Sequence, residues 1–247
     1  MRRLFLMLCV CVVVMSSTRH YDVCIYGGNS AAVTAACSAA RMGKKVVVVS
    51  PDLRLGGMTT GGLGYTDIGN KQVVFGLAKQ FYRKLGERYG RLESWIFEPS
   101  AALEVIESYM DHPNITLHRG YRLADVKMSG TDIRYMTARS DNGRKIKVSA
   151  PYFIDATYEG DLMAMSGVSY FLGREANSVY GETWDGVQYL EEAHQFPDGV
   201  DPYKEKGNPT SGLLWGISDA ELAANGTGDG LMQAYNYRVC LTDSLEN

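Results

Sequence analysis

Apolar residues fall into distinct periodic runs along this 247-residue chain. Near the start, Tyr21-Asp22-Val23-Cys24-Ile25-Tyr26 is a short, mostly apolar run that ends in Gly27-Gly28-Asn29. An alanine-rich stretch then runs to about Arg41, and a second apolar run follows at once, Lys45-Val46-Val47-Val48-Val49-Ser50. Strand, glycine turn, helix and strand make a β-α-β unit, which opens a parallel sheet. Between residues 71 and 89, Val74, Leu77, Ala78, Phe81 and Leu85 form a helical stripe. Glu98-Pro99-Ser100 starts a second helix with Leu103, Val105, Ile106 and Met110, and His112-Pro113 stops it.

From Ile115 the period changes to two. Residues 115–117, 122–128, 133–139 and 145–148 read as the strands of a β-meander spanning 115–148, with Ser140-Asp141-Asn142-Gly143 as a turn. Tyr152-Phe153-Ile154-Asp155 returns to the main sheet, and Ala156-Thr157 leads into a helix at about Glu159. Beyond Gly167 the pattern weakens, and residues 196–210 read as loop.

The first turn carries the chemistry. The N–H groups that open a helix after such a turn face an anion, normally a dinucleotide pyrophosphate. On the spacing G-x-G-x-x-G/A, Gly27 takes the first position, Asn29 the second and Ala32 the third, with Gly28, Ser30 and Ala31 between them. Asn29 stands where a glycine normally admits phosphate, and Asn tolerates left-handed backbone. Ser50, followed by Pro51, stands where an Asp or Glu would grip the ribose hydroxyls. The bland alternative is a β-α-β unit whose glycines only make a tight turn. The next segment bears on that choice. Leu55-Gly56-Gly57-Met58-Thr59-Thr60-Gly61-Gly62-Leu63-Gly64 packs five glycines into ten residues, which favours neither helix nor strand. Its apolar residues fit a linker poorly, and a loop lying against an extended ligand fits better.

Three segments together carry a resemblance: the strand–Gly-Gly–helix start, the run Arg54-Leu55-Gly56-Gly57-Met58-Thr59-Thr60-Gly61-Gly62-Leu63-Gly64, and Phe153-Ile154-Asp155-Ala156-Thr157-Tyr158-Glu159-Gly160-Asp161. The sequence resembles the FAD-dependent oxidoreductase family, with its glutathione-reductase-type FAD-binding fold, from about Tyr21 to the C-terminus. There, residues 233–242 also resemble a family segment. The resemblance implies FAD as cofactor, with its pyrophosphate on the first turn and its adenosine ribose near Ser50 and Pro51. It also implies the loop of Leu55, Gly56, Gly57, Met58, Thr59 and Thr60 beside the flavin, Leu123 passing the adenine by its backbone, and Ala156 and Thr157 approaching the cofactor. Ser100 stands where the family often has His, and no catalytic residue is assigned. Glu159 and Asp161 read as helix-start acids favoured by the dipole.

Composition narrows the classes further. The chain is 45% hydrophobic and 21% charged with a net charge of −3 and no basic block, which excludes nucleic acid as a partner. Arg2 and Arg3, the apolar residues 4–15 and then Ser16-Ser17-Thr18 have the layout of a secretory signal peptide. Twelve apolar residues fall short of the roughly 20 that span a bilayer, so no stable membrane anchor is expected. Cleavage near Ser17 would export the chain to the periplasm or outside the cell. Of the cysteines left, Cys24, Cys37 and Cys240, none forms a C-x-x-C pair, so no metal or iron–sulfur site is expected and buried thiols are. His20, His112, His118 and His194 show no ligand spacing. Tyr180, Trp184 and Trp215 read as aromatic packing or as the lining of a substrate pocket.

The expected architecture is α/β: a Rossmann-like parallel sheet with a β-meander crossover and the start of a second domain. Residues 1–17 are the signal peptide, 18–169 the FAD-binding domain with a helical insertion at 70–112, and 170–247 a partial substrate domain. No late segment that would cover the flavin is recognised, so an N-terminal portion of a longer member is expected. The expected function is an exported FAD-dependent oxidoreductase taking hydride from a small organic substrate. The alternatives are a non-catalytic FAD-binding fragment and an NAD(P)-dependent dehydrogenase. The sequence gives no oligomeric state.

Overall fold

Val46, Val47, Val48 and Val49 are all fully buried, although they alternate between the two faces of a strand. Such a strand must be covered on both sides, and the covers differ. Val46 and Val48 pack with Ile25 against alanines and aromatics of three helices. Val47 and Val49 pack with Cys24 and Tyr26 against Met136, Ala138 and Val148 of a small antiparallel sheet. The result is three layers, with helices on one face of a parallel sheet and a meander on the other.

The computed structural model describes residues 20–190, 192, 196–232, 241 and 243. The expected signal peptide, His194, Cys240 and all of 233–242 except Leu241 lie outside them. The parallel sheet holds β1 (Val23–Tyr26), β2 (Val46–Ser50), β3 (Ile115–Arg119) and β7 (Tyr152–Asp155) in the order β3-β2-β1-β7. The meander is β4 (Tyr121–Ser129), β5 (Asp132–Ser140) and β6 (Lys145–Val148). Helices α1 (Ser30–Arg41), α3 (Gly76–Arg88) and α4 (Pro99–Met110) form the helical layer; α2 (Met58–Gly61) and α5 (Asp161–Met165) are single turns.

Ile115–Arg119 corrects the sequence reading. It is not the first strand of the meander but pairs in parallel with β2, Ile115 opposite Val46 and Arg119 opposite Ser50. Alternation alone cannot separate a parallel edge strand from an antiparallel one. The decision lies in α4, which packs on α1 and returns the chain to the edge of the sheet beside β2. Gly120, at φ +70°, then turns the chain into β4. Residues 71–73 form a 3₁₀ turn and the helix proper starts at Gly76, later than the apolar stripe suggests. The helix placed at about Glu159 starts at Asp161.

Two compact units are present, one holding the described residues up to 167 with Leu241 and Asp243, and one the described residues from 168 to 232. Among its described residues the second has no α-helix or strand, only a 3₁₀ turn at Pro209–Ser211 and two isolated pairings, Arg174 with Asp229 and Tyr203 with Leu213. The Arg174 guanidinium and the Asp229 carboxylate join through two hydrogen bonds, which hold that carboxyl below its usual range. Tyr180, Trp184 and Trp215 are exposed rather than packed. No helix of the described residues is long and apolar enough to cross a membrane.

Gly86 shows packing overruling helix propensity. It lies inside α3, and a Cβ there would stand 2.6 Å from the Arg91 oxygen and the Glu93 nitrogen, where the chain folds back on the helix. Alanine normally gains about 0.5–1 kcal/mol over glycine in a helix. Gly86→Ala should instead lower stability by about 1–3 kcal/mol, read as a lower urea midpoint at unchanged slope.

Candidate functional site

Three strand ends converge because two residues lack side chains. Gly27 follows β1 at φ +126°, and a Cβ on it would lie 2.2 Å from the Ala156 carbonyl oxygen. Ala156 donates its N–H to the Tyr26 carbonyl at 2.7 Å, which closes β7 onto β1. A Cβ on Gly28 would lie 2.2 Å from the Ser50 hydroxyl, at the end of β2. Asn29 then caps α1: its side-chain oxygen accepts the Ala32 N–H at 3.0 Å and its carbonyl the Val33 N–H at 3.2 Å. Its φ of −76° is extended backbone, so its place owes nothing to left-handed tolerance. The start of α1, with the positive end of its dipole, therefore lies at this turn.

The glycine-rich loop is bonded to this turn. Gly56 donates its N–H to the Gly28 carbonyl at 2.7 Å. Gly57, at φ +55°, passes beneath Tyr158, whose hydroxyl accepts the Met58 N–H at 2.9 Å. Glycine is favoured there because L side chains rarely adopt its backbone, φ +55° and ψ −132°, and a Cβ would in addition crowd that hydroxyl at 2.2 Å. The loop is not wholly irregular, because Met58–Gly61 makes one helical turn. The Thr60 hydroxyl donates to the Leu55 carbonyl, and Arg54 holds the Thr60 carbonyl at 2.9 Å. The turn after β7 has its own cap. The Asp155 carboxylate accepts the N–H and hydroxyl of Thr157 and, at 2.9 Å, the Met163 N–H of α5. Asp161 lies in the first turn of α5, as expected of a helix-start acid, and Glu159 precedes the helix.

A cleft of about 300 Å³ opens at these strand ends, lined by Tyr26, Gly27, Gly28, Asn29, Pro51, Asp52, Arg122, Leu123, Ala156, Thr157, Tyr158, Glu159 and Asp161. Seven of the residues singled out from sequence therefore meet here: Gly27, Gly28, Asn29, Pro51, Leu123, Ala156 and Thr157. Ser30, Ala31 and Thr59 instead line a separate apolar cavity with Leu77, Phe81 and Tyr109. Gly57 joins Pro51 in a shallow pocket beside Arg54 and Arg122. Ala32, Ser50, Leu55, Gly56 and Thr60 are buried, and the Met58 side chain is exposed. Sequence reasoning assigned no site role to Tyr26, Asp52, Arg122 or Tyr158. Of these only Asp52 carried a signal, an acid two residues beyond the expected place.

The cleft holds three carboxylates, Asp52, Glu159 and Asp161, against the single guanidinium of Arg122. Tyr26 is 2% exposed and its hydroxyl accepts the Leu123 N–H at 2.9 Å. Burial pushes its phenol above the usual range, against the lowering effect of that hydrogen bond. Cys24 and Cys37 are buried free thiols, and burial raises Cys24 to about 12. Among the described residues no cluster could hold a metal ion.

The sequence model of the FAD-dependent oxidoreductases matches residues 22–247. The chain belongs to that family. No curated protein matches it. Solved structures of similar fold include a flavoprotein/dehydrogenase from Cytophaga hutchinsonii, at 17% identity and TM-score 0.45, covering 63% of this chain and 44% of that one. Another is p-nitrophenol 4-monooxygenase from Pseudomonas putida, at 10% identity and TM-score 0.45, covering 64% and 46%. A third is anhydrotetracycline hydroxylase from Streptomyces rimosus, at 11% identity and TM-score 0.47, covering 64% and 36%. The chain spans less than half the length of each.

FAD is this family's cofactor, and the residues present fit its adenosine diphosphate part. Gly27, Gly28 and Asn29 of the glycine turn line the cleft beside the start of α1, whose dipole suits the phosphates, and the carboxylates suit sugar hydroxyls. Tyr26 ties that turn to the meander. Tyr26→Phe should leave the Leu123 N–H unpaired and cost about 1–3 kcal/mol. A folded-state pKa above the unfolded one stabilises fully below the unfolded value and is lost as pH rises. Cys24 rises from 9.0 and Tyr109 from 10.0, each to about 12, and Tyr26 shifts the same way. Wild-type stability should therefore fall between about pH 9 and 12, and less steeply in Tyr26→Phe, measured by urea unfolding across that range.

Proposed function

We propose that this chain carries the FAD-holding part of an exported oxidoreductase that takes a hydride from a small organic substrate. The observation that carries the reading is the bond between two glycine-rich segments. Gly56 donates to Gly28 at the same strand ends where Gly27 admits Ala156. That joins the phosphate-type turn and the second loop, and the pairing supports an extended dinucleotide over a mononucleotide. Export is supported by the charged start, the apolar residues 4–15 and the small residues near Ser17.

Within this proposal the roles divide by chemistry. The turn at 27–29 and the α1 start hold the diphosphate, with Arg122 as the one cation at the cleft. Tyr158 clamps the glycine loop to the turn after β7 through the Met58 N–H. Asp155 fixes that turn by capping α5. The chemistry that FAD brings is two-electron transfer: the substrate loses a hydride and a proton, and the electrons pass on to an acceptor. Residues 168–232 would contribute to the substrate domain.

Purified chain should release FAD when denatured, identified by chromatography of the supernatant. Release of only FMN or a nicotinamide nucleotide would overturn the reading. Gly57→Val should abolish flavin retention while leaving the circular-dichroism spectrum nearly native, because its side chain would displace the Tyr158 clamp. Wild-type flavin stoichiometry in that variant would make the loop structural only.

A further inference from the structure

Rossmann-type sites bind the two ribose hydroxyls of adenosine with a carboxylate at the end of the second strand. Ser50 holds that position here, yet its side chain does not reach the cleft. It is fully buried, wedged beneath Gly28, where a Cβ would lie 2.2 Å from its hydroxyl. That hydroxyl is spent on one neighbour: it accepts the Asp52 N–H at 3.1 Å and donates to the Asp52 carbonyl at 2.9 Å. The two bonds fold residues 50–52 into a tight turn that sets Asp52 at the cleft edge, beside Pro51 and Arg122. Asp52 is exposed, and its carboxylate makes no hydrogen bond or ion pair among the described residues. Glu159 and Asp161 follow β7, on the opposite side of β1 from β2. They therefore stand at the other end of a ligand that straddles the Gly27 turn.

We propose that Asp52 is the ribose-binding acid of this chain, two residues beyond the usual place, and that Ser50 is the positioning residue that aims it. The inference rests on the flavin reading above. It converts the missing acid of the fingerprint into a relocated one. The carboxylate accepts both ribose hydroxyls, while the Ser50 hydroxyl never touches the nucleotide.

The test is equilibrium titration of the whole apoprotein with FAD, followed by flavin fluorescence, with ADP and 2′,3′-dideoxy-ADP as competitors. Wild type should prefer ADP to the dideoxy compound by about 10- to 100-fold, the range for hydrogen bonds to a charged group. Asp52→Ala should weaken FAD by a similar factor and bring the ADP preference close to one, and Asp52→Asn should fall between. Ser50→Ala should weaken FAD about two- to tenfold in wild type but hardly at all in the Asp52→Ala background, the coupling expected of a residue acting through another. A wild-type protein that takes up FAD, with an Asp52→Ala variant that keeps the ADP preference, overturns this inference alone. Equal Ser50→Ala losses in both backgrounds would overturn the positioning role. A wild-type protein that takes up no flavin overturns the flavin reading together with it.

Discussion

The absence of two side chains governs the first unit. At Gly27 and Gly28 the backbone approaches β7 and β2 so closely that a single carbon on either would collide at 2.2 Å. Substitution there would not simply roughen a binding surface. It would push β7 off β1 or β2 off the turn, and three layers hang on those strands. Val47 and Val49 reach the meander and Val46 and Val48 reach the helices only while β2 keeps its register with β1. The cleft is thus a by-product of strand packing. What a ligand would meet is the space left where side chains cannot exist.

The same close approach lets distant segments report to one another. Gly56 bonds Gly28, and Tyr158 lies over Gly57, at positions that carry no side chain. Residues some hundred positions apart share a hydrogen bond, while neighbours such as Asn29 and Ala31 face different cavities. Helix geometry explains that split, since successive side chains on α1 point about 100° apart and only the cap residue stays with the turn.

This explains what was legible in the sequence. The β-α-β start could be read because its signals are local: an apolar run, glycines, an alanine-rich helix and a valine run that only a doubly covered strand tolerates. The glycine density of the next segment was legible for the same reason, but its bond to Gly28 was not. Ile115–Arg119 was not, because its residues look alike in a meander and in a parallel edge, and only the packing of α4 on α1 decides between them. The direction of the Ser50 side chain was not legible either. Its burial follows from Gly28, a residue 22 positions away whose missing Cβ makes the room. Asp155 reads in sequence as the last residue of a strand, and its capping of α5 appears only once the turn that follows is built.

Electrostatics adds a constraint that composition conceals. A net charge of −3 over the whole chain gives no hint that one cleft gathers Asp52, Glu159 and Asp161 around a single arginine. A diphosphate placed there meets three carboxylates against one arginine, so besides Arg122 its stabilisation depends on fixed dipoles: the start of α1 and the backbone of the glycine turn. The flanking carboxylates are open to water, which screens their repulsion, and they offer acceptors where a nucleotide has hydroxyls. A phosphate centre served by backbone, with sugar positions served by acids, is an arrangement in which the charges of the side chains oppose those of the ligand while their hydrogen bonding matches it. Affinity in such a cleft depends on geometry more than on net charge.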